Sequence, residues 1–526
     1  MNMLCVFGFL TLFVIAYKRE EEINRFFSRH SALQWLCPAV VLLLITILFS
    51  SQLSLSPIAN EYPKKDSAVF LYMGKALLDG AVPYRDLFDH KGVLLYFING
   101  FGYLIGFGRI YGVWIIEIIN LFAAVLIFNR IIKLFTNSNA LSLLTIYLVL
   151  QLCSLPFFEG GNLVEEYALP WIALSLYFVV KFFVSETYKM IDIVLIGTSF
   201  AIVFFLRVNM VGLWGALLLP VVFHFLHRKK LMDLVKCALC FLVGCLIVII
   251  PIFIYLIMTH SLQDMIDCYF VFNLSYTGSK ASILRIVKFA LECIDLVGLA
   301  AFFLLYSFVT HPKNKIVYLN LFALALAFLS SAISGRPYHH YGIIFIPFFV
   351  IPACLTLDSF MEMVKDKITP IRAKRLLAAI IAICFLCIVC KPLYDFSVSK
   401  KTSAESETTA EAKKISNYLI NHTAEKDDVL ILGNKAVCYL TADRHTNNKF
   451  FYQEPPIETS DALYETFLTE LKTKPSDYIV DAFAAEAKSN ERKNYDAAIA
   501  YLNEECEKGT YTLENYDSFQ VYVRNK

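Results

Sequence analysis

The stretch EYPKKDSAVFLYMGKALLDGAVPYRDLFDHKGVLLYF, from Glu61 to Phe97, is polar and lies between long apolar runs. An acid, Asp66, opens an amphipathic pattern in it, and a second charged cluster follows about twenty residues later. Hydrophobic residues make up 58% of the chain, and a chain of this composition has little reason to keep so many ionisable groups beside a bilayer unless they have a function there. The stretch therefore predicts a membrane protein with a functional loop at the bilayer surface.

Composition divides the chain into two regions. Charged residues make up 17% of it, whereas soluble domains typically carry about 25%. About 37 of the 92 charged residues lie in the last 126 positions. We therefore expect a transmembrane region at 1–394, with a candidate site loop at 56–92, and a polar domain at 395–526. A net charge of +2, with no basic stripe, excludes a nucleic-acid partner.

About twelve apolar runs are long enough to cross roughly 30 Å of hydrocarbon. The predicted fold is therefore a polytopic α-helical membrane protein with about twelve transmembrane helices, further interfacial helices and a small C-terminal α/β domain. The runs fall near 3–17, 33–55, 110–128, 139–157, 166–183, 190–206, 210–226, 236–258, 285–309, 316–333, 341–357 and 374–392.

Lysine and arginine set the expected orientation, because they concentrate in cytoplasmic loops. One alternating set of loops is basic, as in Arg228–Lys230, and the other carries acids and aromatics. With twelve spans, both termini and the candidate site are expected to be extracytoplasmic, in the plasma (inner) membrane. The Glu61–Lys91 loop holds five basic residues on the expected outer side, an exception that anion binding would explain.

The polar tail shows alternating strand and helix patterns. Strands are predicted at 427–433 and 477–481, and helices at 462–471 and 495–505. These elements predict a small extracytoplasmic α/β domain. Its aromatic stretches, Phe450–Tyr452 and Tyr511–Tyr522, either form the domain core or stack on a glycan.

The segment Asp66–Gly80 predicts an interfacial helix. Its apolar positions recur with helical spacing, and about fourteen residues are too few to span a bilayer. Asp66 is therefore either the N-cap of this helix or a general base at the boundary between lipid and water. The apolar positions are Val69, Tyr72, Met73, Ala76 and Leu77.

The second charged cluster occupies residues 82–92, which Pro83 and Gly92 mark as a loop. It is either a solvated loop or a site for phosphate, since Arg and Lys suit phosphate oxygens. Its two acids compete with Asp66 as bases, and a carboxylate pair can also hold a divalent cation, so the metal question stays open. The candidates are Arg85, Asp86, Asp89, His90 and Lys91.

The motifs follow one another in a distinctive order. An acid opens an amphipathic helix, Gly80 and Pro83-Tyr84-x-Asp86 come next, and Lys91 then precedes a Leu-Leu-Tyr run. This order resembles the first extracytoplasmic loop of GT-C glycosyltransferases. It is most similar to the bacterial branch with the protein O-mannosyltransferase and lipid A aminoarabinose transferase families. Those families show Asp-Glu and Lys-Pro-Pro-Leu, whereas this chain has a single acid and Lys91-Gly92-Val93-Leu94.

Three later segments, 158–170, 205–209 and 334–341, either have a structural role or add candidates through the same resemblance. The adjacent pair His339-His340 points apart, which argues against a metal there. The resemblance implies donor phosphate or sugar contacts from Glu159, Glu165, Arg207, Arg336, Tyr338, His340 and Tyr341.

The resemblance also implies the chemistry. The donor would be a polyprenyl-phosphate sugar, and the acceptor a cell-envelope glycan, glycolipid or protein. Asp66 would deprotonate the acceptor for an inverting displacement. Arg85 and Lys91, with Arg207 or Arg336, would stabilise the departing phosphate. No cofactor is implied beyond a possible divalent cation.

Three alternatives remain from the residues themselves. A multi-span transporter or lipid-linked-glycan flippase fits the number of spans, but transporters place ionisable groups near the bilayer midplane, and here they cluster at one surface. A polysaccharide polymerase or ligase would carry its key residues in a large late loop. A non-catalytic scaffold with a binding tail is the third.

Overall fold

The computed structural model describes residue 22 and residues 31–59, 62–150, 155–276, 307, 309–311, 313–333, 338–365, 407–454, 456–484 and 492–525. The predicted spans at 3–17 and 374–392, and most of the span at 285–309, lie outside the described residues. So do Arg336 and the domain boundary expected near residue 394.

Helices dominate the region before residue 366. They are α1 (Ser31–Ser50), α2 (Lys65–Leu78), α3 (Val93–Ile105), α4 (Tyr111–Ile132), α5 (Asn139–Leu148), α6 (Val164–Ser185), α7 (Met190–Phe204), α8 (Gly212–His227), α9 (Leu231–Met258), α10 (Leu262–Met265), α11 (Phe272–Tyr276), α12 (Lys315–Ile333) and α13 (Ile346–Lys365). Short 3₁₀ turns at Leu155–Phe158, Val208–Val211 and His339–Phe345, and a π-helical turn at Ile266–Val271, join them.

Among the described residues, five helical segments are long and apolar enough to cross a membrane. Nine of the twelve predicted runs contain a described helix, while the full count of twelve stays a prediction. The five segments are Tyr111–Ile132, Val164–Ser185, Val208–His227, Leu231–Met258 and His339–Ser359.

The chain divides into two compact units, each built from three segments. The first unit contains the described residues within 1–58, 115–250 and 281–403. The second contains the described residues within 59–114, 251–280 and 404–526. The second unit therefore joins the Glu61–Phe97 stretch to the polar tail.

Within the second unit, α2 and α3 form a tightly packed pair. Gly74 of α2 lies so close to α3 that an added Cβ would come within 2.6 Å of the Asn99 side chain. The turn after α2 uses Gly80 at φ +97°, a conformation that glycine adopts at no steric cost. Gly74 thus allows the two backbones to meet, and Gly80 fixes where the following loop begins.

The tail of the second unit contains a four-stranded sheet of β1 (Val429–Leu432), β2 (Tyr478–Asp481), β3 (Tyr511–Asn515) and β4 (Gln520–Arg524), in the order β1-β2-β4-β3. β1 and β2 are parallel, with Val429 opposite Tyr478, and β4 pairs antiparallel with both β2 and β3. The helices of the tail are α14 (Glu407–His422), α15 (Val437–Ala442), α16 (Pro456–Thr459), α17 (Asp461–Thr473) and α18 (Lys493–Glu507). The strands β1 and β2 and the helices α17 and α18 lie where the sequence patterns predict them, and the other elements were not predicted.

Candidate active site

Asp66 lies in the first turn of α2 and is exposed. The N-cap of this helix is Lys64, two residues earlier, and its side chain makes no capping hydrogen bond. Across the described residues the Asp66 carboxylate has no hydrogen-bond or ion-pair partner. Its charge is favoured by the positive end of the helix dipole, and the group is open to a substrate.

The loop at residues 82–92 is held in one conformation by its own backbone. Tyr84 has φ +70°, which is unusual for a residue with a side chain. Its N–H donates to the Leu87 carbonyl at 2.9 Å, and the Asp86 N–H donates to the Val82 carbonyl at 2.9 Å. The Asp86 carboxylate also accepts the Val82 N–H at 2.8 Å. Asp86 therefore shapes the loop.

Arg85 and Asp86 pair with each other. The Arg85 Nε and Nη2 donate to the two Asp86 oxygens at 2.8 and 2.9 Å, and Nη1 donates to the Thr259 carbonyl at 3.0 Å. The hydrogen bond from Arg85 holds the pKa of the Asp86 carboxyl below its usual range. Arg85 thus anchors the loop to the segment after α9, and a phosphate would have to share it with these partners.

Asp89, His90 and Lys91 form the compact centre of the loop. The Lys91 Nζ lies 3.6 Å from Asp89 Oδ1 and 2.5 Å from His90 Nε2. The Asp89 carboxylate is fully buried, and it accepts the Tyr96 hydroxyl at 3.0 Å and the His90 N–H at 2.7 Å. These contacts hold the carboxylate in one position beside the Lys91 ammonium. Asp89 therefore serves as the counter-ion of Lys91.

The Lys91 side chain contacts α2, the helix that carries Asp66. The Lys91 ammonium lies 5.5 Å from the centroid of the Phe70 ring, and Phe70 is four residues after Asp66 on α2. Residues four apart lie on the same helical face. The structure thus places a cation and an exposed carboxylate along one face of α2.

The tail supplies a partner that the sequence did not reveal. The Tyr452 hydroxyl donates to Asp89 Oδ1 at 2.8 Å. Burial, followed by the Asp89 charge, raises the pKa of the Tyr452 phenol well above its usual range, and Asp66 adds to the effect. Phe450 and Phe451 beside it are buried but lie outside the strands. The only signal in the sequence was a run of three aromatic residues in a polar tail.

In the first unit, Arg207 gathers two other predicted residues. Its guanidinium pairs with the buried Glu165, donates to the Tyr341 hydroxyl and lies 4.4 Å from the centroid of the Tyr341 ring. Planar guanidinium groups suit such combined pairing and stacking. Glu165 begins α6 and Arg207 follows α7, so the ends of two helices meet the His339–Phe345 turn here.

The other predicted residues of the first unit lie around His340. The His340 Nδ1 lies 3.0 Å from Glu159 Oε2, and the ring stacks on Tyr338 at 5.4 Å between centroids. Glu159, Gly160, Gly161 and Asn162 all have positive φ, so this loop has a conformation that only a few residue types favour. Tyr338 is 40% exposed and offers a ring face to a ligand.

Glu117 is an acid that sequence reasoning missed. It is fully buried on α4 and accepts the Asn162 N–H at 2.5 Å. Its signal was an ionisable residue inside an apolar run, which is rare without a role. Here it supports the loop that carries Glu159.

Metal ligation was left open by the sequence. Among the described residues, no group of three or more His, Cys, Asp or Glu is arranged to hold a metal ion. The Asp86 and Asp89 carboxylates have separate partners, Arg85 and Lys91.

The fold is similar to solved membrane glycosyltransferases of the GT-C superfamily. ArnT from Cupriavidus metallidurans bound to undecaprenyl phosphate is 12% identical, with a TM-score of 0.61, and the match covers 94% of this chain and 98% of ArnT. The apo state of ArnT, at the same identity and coverage, gives a TM-score of 0.58. The archaeal oligosaccharyltransferase AglB from Archaeoglobus fulgidus, in complex with an inhibitory peptide and a dolichol-phosphate, is 10% identical with a TM-score of 0.51, over 95% of this chain and 75% of AglB.

Sequence comparison gives one family. No curated protein matches the chain. A family model described as "Putative competence-induced protein Ccs4 N-terminal domain" matches residues 28–399, which is more than half of the chain. The protein therefore belongs to this competence-induced Ccs4 family, and it has the GT-C fold.

Proposed function

We propose that the protein is a membrane glycosyltransferase. It moves a sugar from a polyprenyl-phosphate donor to a hydroxyl group of a cell-envelope glycan, glycolipid or protein, on the outer face of the plasma (inner) membrane. The observation that carries the proposal is that Asp66 is exposed and lies on the same face of α2 as Phe70, the residue whose ring the Lys91 ammonium covers. The GT-C fold supports it, because the similar ArnT and AglB structures hold undecaprenyl phosphate and dolichol-phosphate.

The proposed reaction is a single displacement at the anomeric carbon. Asp66 takes the proton of the acceptor hydroxyl, and the acceptor oxygen forms a bond to the anomeric carbon. The bond from that carbon to the phosphate oxygen breaks at the same time, and its electron pair leaves on the polyprenyl phosphate. Attack from the side opposite the leaving group inverts the anomeric centre.

The leaving phosphate gains negative charge, and Lys91 is the proposed cation that stabilises it. Its side chain is only 14% exposed, and its ammonium group is held by Asp89 and His90. A cation fixed before the reaction does not have to reorganise when the charge develops. Asp89 therefore acts on the reaction through Lys91, and the exposed Asp66 is the better candidate for the base.

The first unit supplies further proposed donor contacts. Tyr338 and His340 present a stacked pair of rings, and a sugar face packs well on such a surface. Arg207 pairs with Glu165 and also donates to the Tyr341 hydroxyl, so its guanidinium is held in one position. We propose that these residues give the first unit a sugar- and phosphate-binding surface of its own. We also propose that the tail lies on the outer side of the membrane.

The test is turnover by the purified, detergent-solubilised protein with a panel of labelled polyprenyl-phosphate sugars. A cell-envelope extract is the acceptor source, and parallel reactions contain EDTA or a divalent cation, which settles metal dependence. We expect transfer of label, and a loss of about 100-fold or more in Lys91→Met. The matched control is Lys64→Met, which removes an exposed lysine beside α2.

Either of two results would contradict the proposal. The first is no turnover of any donor by a folded wild-type protein, with or without the cation. The second is equal turnover by Lys91→Met and Lys64→Met.

A further inference from the structure

We propose that Tyr452 is a positioning residue, through which the tail holds Asp89 and so places the Lys91 ammonium for the reaction. The inference rests on the proposed function and extends it. It makes the site depend on a residue more than 350 positions away in the sequence. All the contacts that support it lie within the second unit.

Three hydrogen bonds hold the Asp89 carboxylate. Oδ1 accepts the Tyr452 hydroxyl at 2.8 Å and the His90 N–H at 2.7 Å, and Oδ2 accepts the Tyr96 hydroxyl at 3.0 Å. A carboxylate with 0% exposure depends on such donors, because no water replaces one that is lost. Removing the Tyr452 hydroxyl would leave Oδ1 with the His90 N–H as its one hydrogen-bond donor.

The position of the Lys91 ammonium depends in turn on Asp89. The 3.6 Å separation between Lys91 Nζ and Asp89 Oδ1 is an ion pair without a close hydrogen bond. The position of the ammonium therefore depends on where the carboxylate sits, together with His90 Nε2 at 2.5 Å. The Tyr84 hydroxyl donates to the Lys91 carbonyl at 2.7 Å, so the backbone is fixed and the side chain is the adjustable part.

The tail residues just before Tyr452 are attached to the loop and to α2. The Phe88 N–H donates to the Lys449 carbonyl at 2.8 Å, and the Phe88 ring stacks on Phe450 at 5.4 Å. On α2, the Tyr72 ring lies 4.7 Å from Phe451, between ring centroids. The segment 449–452 is thus held in register with the loop, and it delivers the Tyr452 hydroxyl to one oxygen.

Tyr452 itself is 6% exposed. Its hydroxyl is already committed to Asp89, so it acts on the reaction through Asp89 and Lys91. The raised pKa of its phenol keeps the hydroxyl protonated as a donor at neutral pH.

The experiment uses the full-length protein with the Tyr452→Phe substitution, which keeps the ring packing and removes the hydroxyl. Two quantities are measured: steady-state turnover with the donor that wild type uses, and amide hydrogen exchange of residues 86–92. We expect kcat to fall roughly 10- to 100-fold, as for a misplaced catalytic group, with a smaller change in KM. Exchange in 86–92 should rise while the sheet keeps its protection.

The matched control is Tyr418→Phe, which removes a tail phenol that donates to Glu514 at 2.9 Å, away from the loop. It should match wild type in turnover and in exchange of 86–92. Wild-type turnover and exchange in Tyr452→Phe would overturn the inference, as would loss of protection throughout the tail. Failure of the proposed function looks different, because wild type would then turn over no donor, and the exchange of 86–92 would still test the Tyr452 contact.

Discussion

Arg207 illustrates how much a single buried charge depends on its partners. Glu165 is 2% exposed, and Arg207 is the cation that balances it. Removing one member of a buried pair leaves the other charge uncompensated, which costs more than the net value of the pair. The residue is therefore important for stability as well as for the proposed donor contact.

We predict that Arg207→Met lowers the free energy of unfolding by about 3 kcal/mol. The reason is that Glu165 stays buried without its cation, and Tyr341 loses its stacking partner. The measurement is the thermal unfolding midpoint in detergent. Arg228→Met is the control: Arg228 pairs with Glu186 at 3.3 Å on the surface, so it should shift the midpoint little. Equal midpoints for the two variants would contradict this account of Arg207.

At the scale of elements, the contact between α7 and α9 depends on two glycines. A Cβ on Gly197 would lie 2.0 Å from the Phe241 carbonyl, and one on Gly244 would lie 2.0 Å from the Val194 carbonyl. The Thr198 hydroxyl donates across the contact to the Gly244 carbonyl at 3.1 Å. Small residues allow such close approach of helices in a membrane, where packing rather than the hydrophobic effect holds helices together.

We predict that Gly244→Ala destabilises the protein, because a backbone carbonyl cannot move aside as a flexible side chain can. Gly215→Ala on α8 is the matched control, since nothing lies within 4 Å of its added Cβ. Alanine there should be neutral or stabilising by up to about 1 kcal/mol through helix propensity. Thermal midpoints of the two variants in the same detergent test this. A Gly244→Ala midpoint at or above that of Gly215→Ala would show that the helices can separate freely.

Sequence patterns predicted many of these elements, because apolar periodicity determines where a helix or strand forms. The runs at 110–128 and 166–183 correspond to α4 and α6, and the tail patterns to β1, β2, α17 and α18. Partners were harder to predict, since periodicity gives no distances across the chain. That Gly244 faces α7, or that Tyr452 reaches Asp89, follows only from the assembled structure.

The same distinction holds within the candidate site. A dense cluster of charges predicted that residues 85–91 matter, but it did not separate their roles. Asp86 shapes a turn, Asp89 is a buried counter-ion, and Asp66 is exposed. Burial and hydrogen-bond partners distinguish the three acids, and neither can be read from a local pattern.

At the scale of the whole molecule, the expected orientation can be tested directly. The distribution of Lys and Arg predicts that Lys64 and Lys508 face outward and that Lys229 faces the cytoplasm. All three side chains belong to exposed residues, so single cysteines there would be accessible to a reagent on the correct side.

We expect Lys64→Cys and Lys508→Cys to react with a membrane-impermeant maleimide in intact cells, and Lys229→Cys to react only after permeabilisation. The unsubstituted protein, with its 14 native cysteines, gives the background. Labelling of Lys229→Cys in intact cells, with Lys64→Cys protected, would reverse the topology and place the site on the cytoplasmic side.

Asp66 is the proposed base of a sugar transfer from a lipid carrier. The most direct measurement is the single-turnover transfer rate of wild type, Asp66→Asn and Asp79→Asn with one labelled polyprenyl-phosphate sugar. Asp79 is an exposed acid at the other end of α2, so it controls for charge on the same helix. Loss of a general base should slow transfer by about 10²- to 10⁴-fold, while Asp79→Asn should match wild type. Transfer by Asp66→Asn at a rate close to that of Asp79→Asn would contradict the account.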